Sequence, residues 1–267
     1  MSNRVEILII DPQVSFCDPS GELYVKGAED DMSRLSKMVD RLSSKISNIH
    51  VTLDSHHAYD VAHPVFWKDS LGRNPNPFTI ITVKDVETGV WTPSVYGLHL
   101  NMLDYVRKLE KHNKYPLCIW PPHALIGSRG HSVMPELFDS LKKWEEENLS
   151  VVDYVSKGSN PYTEHYGAFM ADVTNKNDPS TFINIKTLDA LRDVGMLLVA
   201  GEAGSHCVKI SAEQLIENIG DDSYAKKVVI LTDAISPVPG FEKAQIEFYE
   251  EMSKLGATMS TTVDCLV

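Results

Sequence analysis

With 267 residues, 43% of them hydrophobic, the chain can build a full core as one large α/β domain or two small ones without disulfide staples. Its formal charge of −12 argues against a nucleic-acid or anionic-membrane partner, since neither offers a counter-charge. The scattered Cys17, Cys118, Cys207 and Cys265 suit neither a disulfide framework nor a zinc finger, and no apolar run approaches membrane-spanning length.

The apolar run at 5–10 is short and has no cleavage-site pattern after it, so it reads as a first strand and not a signal peptide. The chain is expected to be soluble and cytoplasmic. Helical spacing follows at 31–46, then a second strand at 50–53, a helix at 98–111, a third strand at 117–120 and a helix at 135–147. A fourth strand at 151–154, a helix at 187–194, a fifth strand at 196–200 and a helix at 208–219 come next. The pattern ends with a sixth strand at 228–231, a helix at 241–255 and a candidate last strand at 258–261. This alternation predicts an α/β fold, a mostly parallel twisted sheet of about six strands with helices on both faces in a three-layer sandwich. Charge runs such as KKWEEEN at 142–148 read as solvated helix faces. No internal repeat or low-complexity linker divides 1–267, which reads as a single domain.

One stretch interrupts the alternation. Residues 64–97 are rich in Pro, Gly, Asn and Asp, with a short β-like run at 78–83. Such a segment inside a compact domain is usually a lid, a binding loop or an oligomer contact. It starts just after the Asp54–His63 segment and ends before the helix that leads to His123, so it is expected to cover or border the active site.

In open α/β sheets, ligands bind beyond the carboxyl ends of the strands. Those ends lead here to Asp11, to Asp54-Ser55-His56-His57, to Trp120-Pro121-Pro122-His123, to Lys157, and to Cys207 at the start of a helix. A helix N-terminus favours a thiolate over a thiol. Each residue alone also has a plain reading: a turn acid before Pro12, surface histidines, a surface lysine, a small buried hydrophobe. Asp-x-His places two ligands on one side of an extended segment. A third could come from His123 or from His63, and three protein ligands with open positions describe a catalytic metal site.

Together the segments IIDPQVSF (9–16), VTLDSHH (51–57), WPPHALIGSRG (120–130), KG…HYGAF (157–169) and VAGEAGSHCV (199–208) resemble the isochorismatase-like cysteine hydrolases, most closely the nicotinamidases. They run in the family's order and span most of the chain. The resemblance implies a catalytic triad of Asp11, Lys157 and Cys207, and a cis peptide before Ala203. It implies an oxyanion hole from the Ala203 and Cys207 N–H groups. It also implies one divalent metal ion on Asp54, His56 and His123, zinc first, with iron, manganese or magnesium as alternatives. Phe16, Trp67 and Tyr166 are candidate ring-packing walls. The implied activity is hydrolysis of a small amide, nicotinamide to nicotinate and ammonia, in a chain expected to form a homo-oligomer. The alternatives are hydrolysis of another small amide or carbamoyl compound, or a non-catalytic α/β binding protein. The chain departs from the family in 64–97 and 161–178, in Ala124 where nicotinamidases often have cysteine, and in GSRGHSV for GTxGAE.

Overall fold

A computed structural model describes residues 4–112 and 114–266. In chain order the first elements are β1 (Val5–Ile10), the one-turn α1 (Val14–Cys17), α2 (Ala28–Leu42), β2 (Ile46–Asp54), β3 (Trp67–Lys68) and β4 (Ile80–Ile81). Next come α3 (Val83–Glu87), β5 (Thr92–Pro93), α4 (His99–Lys111), β6 (Leu117–Cys118) and α5 (Pro135–Asn148). The chain continues with β7 (Asp153–Lys157), α6 (Ile185–Arg192), β8 (Met196–Gly201), α7 (Cys207–Asn218), β9 (Val228–Leu231), α8 (Glu242–Leu255) and β10 (Thr258–Ser260).

Six strands form one sheet in the order β10-β9-β8-β1-β2-β7, every neighbouring pair parallel. The central β1 reads VEILII because both its faces are covered, as a parallel sheet requires. Side chains alternate across a strand, so Ile7 and Ile9 pack with Leu35 and Val39 of α2 and Leu141 and Trp144 of α5. Leu8 and Ile10 face the other way, toward Leu188 of α6, Val208 and Leu215 of α7 and Phe248 of α8. The α/β sandwich expected from the alternation is therefore the fold observed.

Two expectations about elements need correcting. The segment at 117–120 is not a strand of the main sheet. Leu117 and Cys118 pair antiparallel with Ile81 and Ile80, while the Ile119 and Trp120 N–H groups bond to the Thr79 and Ala62 carbonyls. The strand predicted at 151–154 lies further along, at Asp153–Lys157, so Lys157 is its last residue.

The stretch 64–97 carries β3, β4, α3 and β5, and its Phe66, Trp67, Ile81 and Val86 form a third apolar cluster with Met102, Val106 and Leu109 of α4. Among the described residues no helix is long and apolar enough to cross a membrane. The sheet order also fixes where a ligand can enter. From the adjacent β1 and β8 the chain builds outward in opposite directions, which opens a crevice at their carboxyl ends.

Candidate active site

At that crevice β1 gives way to Asp11, whose φ of +43° turns the chain out of the sheet. Thr52 of β2 holds it twice. The Thr52 hydroxyl donates to Asp11 Oδ1 at 2.5 Å and accepts the Asp11 N–H at 2.9 Å. Asp54 and Lys157 end β2 and β7 as register partners. Lys157 Nζ lies 2.9 Å from Asp11 Oδ2, 3.0 Å from Asp54 Oδ1 and 3.8 Å from Cys207 Sγ, and it donates to the His165 carbonyl at 3.0 Å. Gly158 is required beside it. Its φ is +81°, and a Cβ there would sit 2.7 Å from Asp54 Oδ1.

The charges explain why these groups tolerate burial. Desolvation opposes the Lys157 ammonium, but Asp11, Asp54 and Cys207 outweigh it and raise its pKa well above the ordinary lysine value. Burial likewise works against the Asp54 carboxylate, yet His56 and Lys157 hold its pKa well below the usual range. For Asp11, burial prevails over Lys157, and its pKa is raised.

Cys207 is the first residue of α7, at the strand-to-helix junction expected. Its protonation differs from the expectation of a thiolate. Burial first, with the Asp11 and Asp54 charges added, outweighs Lys157 and holds the thiol well above its ordinary pKa. The Glu202–Ala203 peptide is cis. Among the described residues neither the Ala203 nor the Cys207 N–H has an acceptor, so both are free to hold an oxyanion.

Asp54, His56 and His123 are buried, and one ligand atom from each lies within 4.8 Å of the others. Their remaining atoms fit a metal. His56 Nδ1 is 3.1 Å from Asp60 Oδ2, and His123 Nδ1 is 2.8 Å from the Pro121 carbonyl. A carbonyl can only accept, so neutral His123 carries its proton on Nδ1 and presents the Nε2 lone pair, as a metal-ligating imidazole does. The two Nε2 atoms stand 3.0 and 3.7 Å from Asp54 Oδ2. His57 is exposed. His63 is buried, its ring 5.2 Å from that of His56 and 5.5 Å from that of His123, and its Nε2 has no hydrogen-bond partner.

Cys207, Asp54 and His123 open onto one cavity. Phe16 and Tyr166 line it. Trp67 does not. It is fully buried in the third apolar cluster, with its indole N–H donated to the Val61 carbonyl at 2.7 Å. The aromatic wall is Trp120 instead, whose indole donates to the Tyr166 hydroxyl at 3.0 Å. Glu164, Glu202 and His206 also line the cavity. Burial raises the Glu164 carboxyl to about 8, one of its oxygens lacking a partner, and lowers His206 to about 4. Sequence reasoning missed these three and Asp60. Trp120 could have been found from its place just before the Pro-Pro-His run at the same rim.

No protein-family model matches the chain, and no curated protein matches it in sequence. Its fold, however, is found in solved structures. A nicotinamidase/pyrazinamidase of Acinetobacter baumanii shares it with a TM-score of 0.66 at 18% identity, covering 100% of both chains. The yeast nicotinamidase aligns with a TM-score of 0.64 at 17% identity over 96% of this chain and 98% of that one. A Pyrococcus horikoshii pyrazinamidase in complex with zinc aligns at 0.57 and 16% identity, over 97% and 99% of the two chains.

Proposed function

We propose that the protein is a cysteine amidohydrolase that converts a small carboxamide, nicotinamide in the leading reading, to the acid and ammonia. The observation that carries this is the meeting of Asp11, Lys157 and Cys207 around one ammonium, beside two unpaired N–H groups. A carboxamide is a poor electrophile with a poor leaving group, so it needs a strong nucleophile, a proton donor and oxyanion donors.

Asp11 accepts the thiol proton as Cys207 sulfur attacks the carbonyl carbon. The carbonyl oxygen, now anionic, is held by the Ala203 and Cys207 N–H groups. Asp11 passes the proton to the leaving nitrogen, the C–N bond breaks, and ammonia departs from a thioester. Asp11 then takes a proton from water, whose oxygen attacks the thioester; the C–S bond breaks, releasing the acid and restoring the thiol. Lys157 stays charged and keeps Asp11 and Asp54 compatible in a buried site. Asp54, His56 and His123 would hold a divalent ion, zinc being the first choice for a carboxylate with two imidazoles. Bound there, it would supply an anchor for a ring nitrogen and orient the carboxamide. Phe16, Trp120 and Tyr166 would enclose the ring.

A second reading is an amide or carbamoyl compound with another polar group, favoured by Glu164 and His206 on the cavity wall. Ammonia release across nicotinamide, pyrazinamide and a panel of small amides and carbamoyl compounds tests both readings. Nicotinamide turnover that Cys207→Ala lowers by at least about 10⁴-fold supports the first. An inert nicotinamide beside another active amide selects the second, and no ammonia from any of them leaves a non-catalytic binding protein.

A further inference from the structure

Glu202, on the cavity wall, and Asp31 beside it are two buried acids held by one serine, with one carboxyl oxygen left without a donor. Glu202, directly after β8, is 1% exposed, and Asp31 of α2 is 3% exposed. Glu202 Oε2 accepts the Ser236 N–H at 3.1 Å, and Oε1 has no donor. Asp31 is fully occupied. Arg34 Nη2 donates to its Oδ1 at 2.6 Å and the Ser236 hydroxyl to its Oδ2 at 2.5 Å. The two carboxyl groups are held by one residue, Ser236, through its N–H and its hydroxyl. Two carboxylates held on one serine in a buried site ionise together only at high cost, so the pair retains one proton, placed on Glu202, whose Oε1 has no donor.

The same Ser236 grips the backbone on both sides of Ala203. Its N–H holds the Glu202 side chain, and its carbonyl accepts the Gly204 N–H at 2.9 Å. The Glu202 N–H is itself fixed to the Ile10 carbonyl at 2.8 Å. Resting on the amidohydrolase reading, we propose that Glu202, sharing one proton with Asp31 and tied to Ser236, is a positioning residue that sets the Ala203 N–H for the oxyanion. It acts through the Ala203 peptide, not on the substrate.

The other titratable groups that feel the pair are Arg34 from α2, Cys17 from α1 and Tyr249 from α8. Burial and then Asp31 hold the Glu202 carboxyl well above its usual range. Its contribution to stability is therefore complete at acid pH and is lost as pH rises through the folded-state value. Once ionised, Glu202 repels Asp31 and the grip on Ala203 loosens.

The test compares wild type with Glu202→Ala, Glu202→Gln and Asp31→Asn. Glutamine can donate to Asp31 and accept from Ser236 but cannot ionise. Glu202→Ala should lower kcat at least about tenfold, with KM held within about twofold. Glu202→Gln should restore most of that loss and remove a decline in wild-type kcat at alkaline pH. By thermal melting, Glu202→Gln and Asp31→Asn should gain on wild type as pH rises from about 6 to about 9.5. A melting difference that is flat with pH overturns the shared proton. An equal kcat in Glu202→Ala and wild type, or an unrescued loss in Glu202→Gln, overturns the positioning role. A wild type that hydrolyses no amide overturns that role with the parent reading, while melting, which needs no substrate, still decides the shared proton.

Discussion

In the proposed reaction the first proton to move is the one on Cys207, and Asp11 is its acceptor. Because Asp11 is raised from the ordinary carboxylate value and needed in its charged form, kcat/KM should fall as pH drops through that raised value. Asp11→Asn should lose turnover by about 10²–10⁴-fold at every pH while keeping its metal, because Asp11 is not a ligand. If Asp11→Asn keeps wild-type turnover, the base has been misassigned. The metal makes a separate prediction. His123→Ala should lose bound metal on elemental analysis and His63→Ala should retain it, since among the described residues only His123 joins Asp54 and His56 in the candidate ligand cluster. The reverse result would exchange the two. At this scale the sequence was legible where a side chain ends or follows a strand, as Asp11, Asp54, Lys157 and Cys207 do. Asp60 and Glu202 were not legible. One reads as a turn acid and the other as an acid among glycines, until His56 and Asp31 are folded against them. Trp67 misled for a related reason, because nearness in sequence to the histidines did not reveal that its ring points into another core.

Among the elements, the sheet carries a buried charge relay of its own, far from the chemistry. His50 of β2 bridges Glu6 of β1 and Asp153 of β7, with Nε2 3.1 Å from Glu6 Oε2 and Nδ1 3.0 Å from Asp153 Oδ2. Burial opposes its charge, but the hydrogen bonds to Glu6 and Asp153 prevail and raise its pKa above the ordinary 6.5. A raised imidazole stabilises the fold fully below the ordinary value and loses that stabilisation as pH rises through the folded one. The melting advantage of wild type over His50→Gln should therefore be larger near pH 6 than near pH 9. An advantage that does not change with pH would show that the ring is neutral in the fold. The strands themselves were readable because apolar runs such as VEILII fit only a sheet covered on both faces. The segment at 117–120 was not, since an apolar run does not say which sheet it joins. Its backbone donors go to Thr79 and Ala62, partners that lie in 64–97 and beside the histidines.

For the whole molecule, the open question is what 64–97 does for the cavity. The stretch plays two physical parts that single substitutions can separate. Ile81 is 1% exposed within the third apolar cluster, so Ile81→Ala should cost about 2–5 kcal/mol of stability. Phe78 is 61% exposed, yet its ring meets Trp120 edge-on at 5.9 Å, and Trp120 lines the cavity. Phe78→Ala removes little buried surface but frees the outer side of that wall. It should raise KM or change amide preference while leaving Tm nearly unchanged. Should Phe78→Ala leave KM, amide preference and turnover as in wild type, 64–97 is a structural buttress for α4 and not a border of the site. The sequence could place both ends of this stretch beside the histidines, but its apolar residues alone could not tell those that build a core from the one that leans on the cavity wall.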